Sequence, residues 1–194
     1  MSGAALLVMD LVNDLVHVDG PNGATYGAEV RRRRVLENTA TALSKARDFG
    51  ALVVFVRVGF DPSAKTKDMP LRSPMLAGLA GTGILSLGTW GTQVHAAVAP
   101  IDGEIDVIKH RISPFYATSL DAILRGNDIR DLYLAGVSTN FVVTSAVRDG
   151  HDRDFRVFVV EDCCAASSQD EHDSALQNFR PLCHGIVTSA ALFK

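Results

Sequence analysis

Six short apolar runs rich in valine recur along the chain, at 4–9, 51–58, 105–110, 132–137, 156–162 and 184–189. They read as strands apolar on both faces, and such strands belong inside a parallel sheet covered by helices. Between them lie helical stretches. Over 28–49, Val35, Leu36, Leu43, Ala46 and Phe49 form a stripe that Gly50 ends. Further helices are expected over 119–125, over 140–149 ahead of Gly150, and over 169–179 ahead of Pro181. Strands alternating with helices imply right-handed crossovers. The expected architecture is α/β: a doubly wound sheet of about six mainly parallel strands with helices on both faces, in a single domain over 1–194.

At 194 residues one such domain can bury about 70% of its unfolded surface. The formal net charge of −3 argues against a nucleic-acid partner, which leaves a basic footprint. The one basic run, Arg31 to Arg34, spreads around a helix because successive residues point about 100° apart, so a solvated helix start is expected there. The apolar run at 4–9 is too short for a signal peptide and has no basic leader, and no segment approaches the ~20 residues of a membrane span. Cys163, Cys164 and Cys183 are odd in number and lack framework spacing, which fits a reducing cytoplasm. The longest irregular region, 60–92, is rich in Gly, Pro and Ser but also in Met, Leu and Ile, and is expected to fold over something.

Ligands of a doubly wound sheet collect beyond the carboxyl ends of its strands. Asp10 ends the first strand, Lys109 the third, Ser138 to Val142 follow the fourth, and Asp162 to Cys164 follow the fifth. Asp10 comes after a run of apolar residues, a setting that desolvates a carboxylate, and Lys109 is a suitable cation for it. Taken singly, Asp10 reads equally well as a turn cap and Lys109 as a surface lysine. The Gly136 to Val142 turn offers backbone N–H groups at a helix start, suited to an oxyanion or carboxylate. The six histidines show no paired ligand spacing and there is no CxxC, so no metal is expected. Gly81 and Gly83 lack the third glycine of a dinucleotide loop and follow no strand, so no cofactor is expected either.

The segments LLVMDLVND, VIKHRISPFYATSL, LYLAGVSTNFVVTSAVRDG and VFVVEDCCAASS, in that order over nearly the whole chain, resemble the isochorismatase-like hydrolases, also called the cysteine hydrolase family. The resemblance implies a Rossmann-like sheet, a non-proline cis peptide at Val137–Ser138, and assembly as a homodimer or homotetramer. It also implies an Asp, Lys and Cys triad that hydrolyses amides and related C–N bonds, with Asp10 and Lys109 as the matching acid and amine. Val142 stands where the family's nucleophilic cysteine is expected, and Val12 replaces a usual Gln. Valine can neither attack nor move a proton, so the thioester route is excluded.

Isochorismatases within this family also lack the thiol and cleave a vinyl ether, a reaction needing an acid and a held carboxylate but no covalent nucleophile. The first expectation is therefore a thiol-independent hydrolase of a small carboxylated metabolite, with Asp10 as acid and Lys109 as electrostatic partner. A second is a C–N hydrolase using water or another side chain, Cys163, Cys164 and Ser145 being candidates that read more simply as packing. A third is a retired homologue that only binds a metabolite. The expected substrate pocket joins Asp10, Lys109, Ser138 and Val142 to walls of Trp90, Phe115, Tyr116 and Phe141.

Overall fold

The computed structural model describes residues 3–62, 72–79 and 81–193. Six strands, β1 (Ala4–Met9), β2 (Leu52–Val58), β3 (Ile105–Lys109), β4 (Asp131–Val137), β5 (Arg156–Ala165) and β6 (Gly185–Val187), form one sheet in the order β3-β2-β1-β4-β5-β6. Every neighbouring pair is parallel, so the mainly parallel expectation becomes a wholly parallel sheet in Rossmann order. The chain winds outward from β1 to β3, then crosses back and winds outward from β4 to β6. A crevice therefore opens over the carboxyl ends of β1 and β4.

Helical segments pack on both faces: α1 (Asn13–Val16), α2 (Tyr26–Arg32), α3 (Val35–Phe49), α4 (Pro74–Ala77), α5 (Leu120–Gly126), α6 (Thr144–His151) and α7 (Gln169–Phe179). Strand side chains alternate between two cores. Ala5, Leu7 and Met9 of β1 join Leu124, Val147 and Phe179 on the face covered by α5, α6 and α7. Leu6 and Val8 join Val30, Leu43 and Ala46 on the face covered by α2 and α3. All six β1 residues are buried, and each leucine contributes roughly 1.5–3 kcal/mol. A charge at Leu7 would break the sheet from its centre.

Local chemistry sets the helix ends. Gly50, at φ +73°, ends α3 and returns its N–H to the carbonyls of Ala46 and Arg47. The Ser168 hydroxyl accepts the Glu171 N–H at 3.3 Å and starts α7. The single helix expected over 28–49 is two, because Arg34 adopts φ +56° and breaks the ladder between α2 and α3. That joint corrects the reading of the arginine run as a uniformly solvated helix start. Arg32 is half exposed, whereas the Arg33 side chain turns inward to Glu161 at 2.9 Å and to the Cys164 carbonyl at 3.0 Å.

Two features shape the crevice. Gly136 has φ +141°, and a Cβ there would lie 2.1 Å from the Met9 carbonyl oxygen, so only glycine lets β4 lie against β1 at the site end. The helix expected over 140–149 opens as one wide π turn, Thr139–Val143, before α6 begins. Of the excursion at 60–92, residues 63–71 and 80 lie outside the described residues. The remainder returns over the carboxyl edge through a bridge between Phe60 and Ser86. It forms a third apolar cluster with Val12, Val58, Phe60, Leu76 and Leu85. Among the described residues no helix is long and apolar enough to cross a membrane.

Candidate active site

Asp10 follows β1 directly and adopts φ +57°, a left-handed conformation uncommon for a non-glycine residue and concentrated at functional sites. Its N–H donates to the Val56 carbonyl at 2.8 Å. Its side chain points toward β2 and β3: Oδ1 accepts the Val58 N–H at 2.7 Å, and Oδ2 lies 2.8 Å from Nζ of Lys109. Lys109 is only 2% exposed, which disposes of the surface-lysine alternative, and Nζ also donates to the Arg111 carbonyl at 3.0 Å. Burial raises the Asp10 pKa, with Lys109 and the Val58 N–H pulling it partly back. The pair is a desolvated acid held beside a fixed cation.

The peptide bond between Val137 and Ser138 is cis. Beyond it, two N–H groups of the π turn are taken within the turn. The N–H groups of Phe141 and Val143 both donate to the Ser138 carbonyl, at 3.2 and 3.3 Å. The wide turn closes on itself because one carbonyl accepts twice. Val142 is buried at 2% exposure. With Asp10, Lys109, Ser138 and Phe141 it lines a cavity of about 280 Å³ over the crevice.

Three expected wall residues are not among those lining the cavity, and each has a partner elsewhere. Trp90 packs edge-on against His17 at 4.9 Å between ring centroids, while its carbonyl accepts from Asn13 at 2.9 Å. Phe115 is buried in the core on the α6 side, near the Phe155 ring and beneath the Arg153 guanidinium at 4.8 Å. Tyr116 is 63% exposed. The hydroxyl of Ser113 donates to Asp149 of α6 at 2.5 Å and accepts the N–H groups of Phe115 and Tyr116 at 3.1 Å. This anchor ties the loop after β3 to α6 and turns its aromatics away from the cavity. The walls are instead largely aliphatic, from Leu76, Ile84 and Leu85, with Phe60, Tyr26 and Arg111 also unforeseen. Arg111 had a signal, since it lies two positions beyond Lys109. Tyr26 had none in its local pattern.

Other nucleophiles stand apart. Cys163 and Cys164 are fully buried, and desolvation pushes the Cys164 thiol up to about 12 and Cys163 further still. Burial takes Cys183 up to about 11. None of these, nor Ser145, is among the cavity-lining residues. A second charged group lies at β5. Arg33 pairs with Glu161 at 2.9 Å, and His172, 1% exposed, lies 3.8 Å from Glu161 and 2.8 Å from the Thr139 hydroxyl. His172 and Arg33 hold the Glu161 carboxyl below its usual range. Among the described residues no group of three or more His, Cys, Asp or Glu side chains is arranged to hold a metal ion.

A Rossmann-ordered parallel sheet whose switch-point crevice holds a desolvated acid–amine pair makes a candidate site of an α/β enzyme, with groups suited to moving a proton on a small molecule. The isochorismatase domain model matches residues 4–191, and the chain belongs to that family of hydrolases. It is 33% identical over 176 residues to the ureidoacrylate amidohydrolase RutB of Methylorubrum extorquens, covering 82% of this chain and 68% of that protein. It is 30% identical over 179 residues to the uncharacterized isochorismatase family protein YecD of Escherichia coli O157:H7, covering 91% and 87%. The crystal structure of an isochorismatase family protein from Desulfovibrio vulgaris superposes with a TM-score of 0.85 at 27% identity, covering 99% of this chain and 97% of that one.

Proposed function

We propose that the protein hydrolyses a C–N bond of a small carboxylated substrate with water as the attacking group, Asp10 as general base, and no covalent intermediate. The observation that carries this reading is the hydrogen bonding of Asp10. Both carboxylate oxygens accept, one from Val58 and one from Lys109, which is the pattern of an ionised base, while apolar Val142 shares the cavity. Asp10 takes a proton from water as the water oxygen bonds to the carbonyl carbon. The C–N bond then breaks, and Asp10 returns the proton to the departing nitrogen. Lys109 holds the base in place and keeps its charge throughout, and Arg111 brings a second cation to the wall to favour a carboxylated substrate. The 33% identical amidohydrolase supports C–N chemistry.

Vinyl-ether cleavage, the first expectation from sequence, is the second reading. It needs Asp10 protonated at rest, which the raised pKa favours but the two accepted hydrogen bonds oppose. A panel of ureides, amides and vinyl ethers assayed by product release decides between them. Turnover confined to vinyl ethers would overturn the C–N proposal, and binding without turnover would mark a retired enzyme. We also propose that the chain forms a homodimer or homotetramer, because Met75 and Trp90 of the excursion are exposed and large exposed apolar groups favour interfaces. A monomeric mass by light scattering at micromolar concentration would reject it.

A further inference from the structure

The cavity lining divides between the strand ends and a separate apolar cluster. On the sheet side stand the strand-end groups Asp10, Lys109 and Ser138, with Arg111 beside them. Val58, Val137 and Val142 add apolar groups there, and the further apolar lining includes Phe60, Leu76, Leu79, Ile84 and Leu85. These five belong to, or pack against, the third apolar cluster, which is separate from the two sheet-face cores. That cluster is therefore not simply an extension of the core. Part of it is left as lining of the cavity. Met75, 45% exposed, and Phe141, 38% exposed, extend the apolar lining toward solvent.

From this division we infer that the substrate is amphiphilic, with a branched aliphatic body of about leucine size that lies against Leu79 and Ile84 while its scissile polar head meets Asp10 and Lys109. The inference deepens the proposed hydrolysis and rests on it for the head group alone. Apolar walls opposed by a few convergent polar groups are how a site fixes both affinity and orientation. The cavity of about 280 Å³ amounts to on the order of nine water volumes. That is enough for a ureido acid with one aliphatic side chain. An unbranched, wholly polar substrate would leave the wall of Leu79 and Ile84 in contact with water.

The test compares N-carbamoylglycine with N-carbamoylleucine, which share the ureide and carboxylate and differ only in the body. Affinity is read by calorimetry, or as kcat/KM if turnover occurs, so failure of the hydrolytic reading leaves this inference to stand or fall on binding. Burying a leucine side chain is expected to favour the leucine compound by at least about tenfold. Leu79 and Ile84 are both partly exposed, so Leu79→Asn and Ile84→Asn are expected to fold, with thermal unfolding as the check. Either should cut the preference to within about threefold. Equal binding of the two compounds by the wild type overturns the inference. So does a leucine preference that survives both substitutions, because the aliphatic body would then lie elsewhere.

Discussion

Two groups of charges lie along the sheet, and only one borders the cavity of the proposed reaction centre. Asp10 and Lys109 stand at the ends of β1 and β3, and Arg33 and His172 gather around Glu161 within β5. Each joins a carboxylate to a cation at under 3 Å. The Asp10 pair lines a cavity and its carboxyl is raised by burial. The Glu161 group is absent from that lining, and its carboxyl is lowered by its partners. Converging charge along a sheet therefore does not by itself make a site. A desolvated base facing an open space is poised to accept a proton, whereas a carboxylate stabilised on every side is a clasp.

The hardest blow to this contrast is Asp10→Asn set against Glu161→Gln. The first is expected to lower hydrolysis by at least about 10²-fold, the usual worth of acid–base catalysis. The second should leave the rate within about tenfold, because Glu161 acts at a distance through His172 and Thr139. The wild-type rate should fall as pH drops through a value above the ordinary carboxylate range, since a raised pKa means the base form is lost early. A pH profile flat down to pH 4 would remove Asp10 from the role of base.

A stability experiment sharpens the same contrast. Lys109→Met strands the Asp10 charge at 4% exposure and should cost about 3–5 kcal/mol by urea unfolding, with Asp10→Asn in the same chain recovering most of it. Arg33→Met leaves Glu161 with 31% side-chain exposure, and solvent screening holds its cost below about 2 kcal/mol. The pH dependences should run in opposite directions. The folded pKa of Glu161 is depressed, so its contribution is present above the unfolded value and lost as pH falls through the folded one. The folded pKa of Asp10 is raised, so stability declines as pH rises from the unfolded value through the folded one. Comparing wild type with Glu161→Gln and with Asp10→Asn/Lys109→Met separates the two slopes.

The smallest effect comes from the thiols. Iodoacetamide should change the rate by no more than about twofold, because thiolates are scarce at neutral pH when burial raises the pKa. Loss of turnover on alkylation would restore a cysteine to the mechanism.

What the sequence could reveal divides along physical lines. The strands were legible within a few residues because burial on both faces writes itself into consecutive positions, and α7 matched over Gln169–Phe179 because cap and stop are local. Asp10 and Lys109 were legible because each closes an apolar run, which the topology turns toward one edge. The break at Arg34 was not, since its φ of +56° accompanies the inward turn of Arg33 toward β5, far along the chain. Phe115 and Tyr116 were misplaced for a similar reason. Their direction is set by Ser113 meeting Asp149, a contact between elements that no window of sequence contains.

The pairing of β1 with β4 brings Ala4 beside Asp131, across more than half the chain. During synthesis at about 5–20 residues per second, Asp10 and Lys109 emerge before Ser138 and Val142, and no chain that stops short of Val142 can complete the cavity. The long loop that this pairing closes makes the contact slow to form. The cavity is thus complete only once β1 and β4, far apart along the chain, have paired. A ligand at 100 times its Kd would then deepen the whole native basin by about 2.7 kcal/mol, tying the lifetime of the newly made protein to the supply of what it binds.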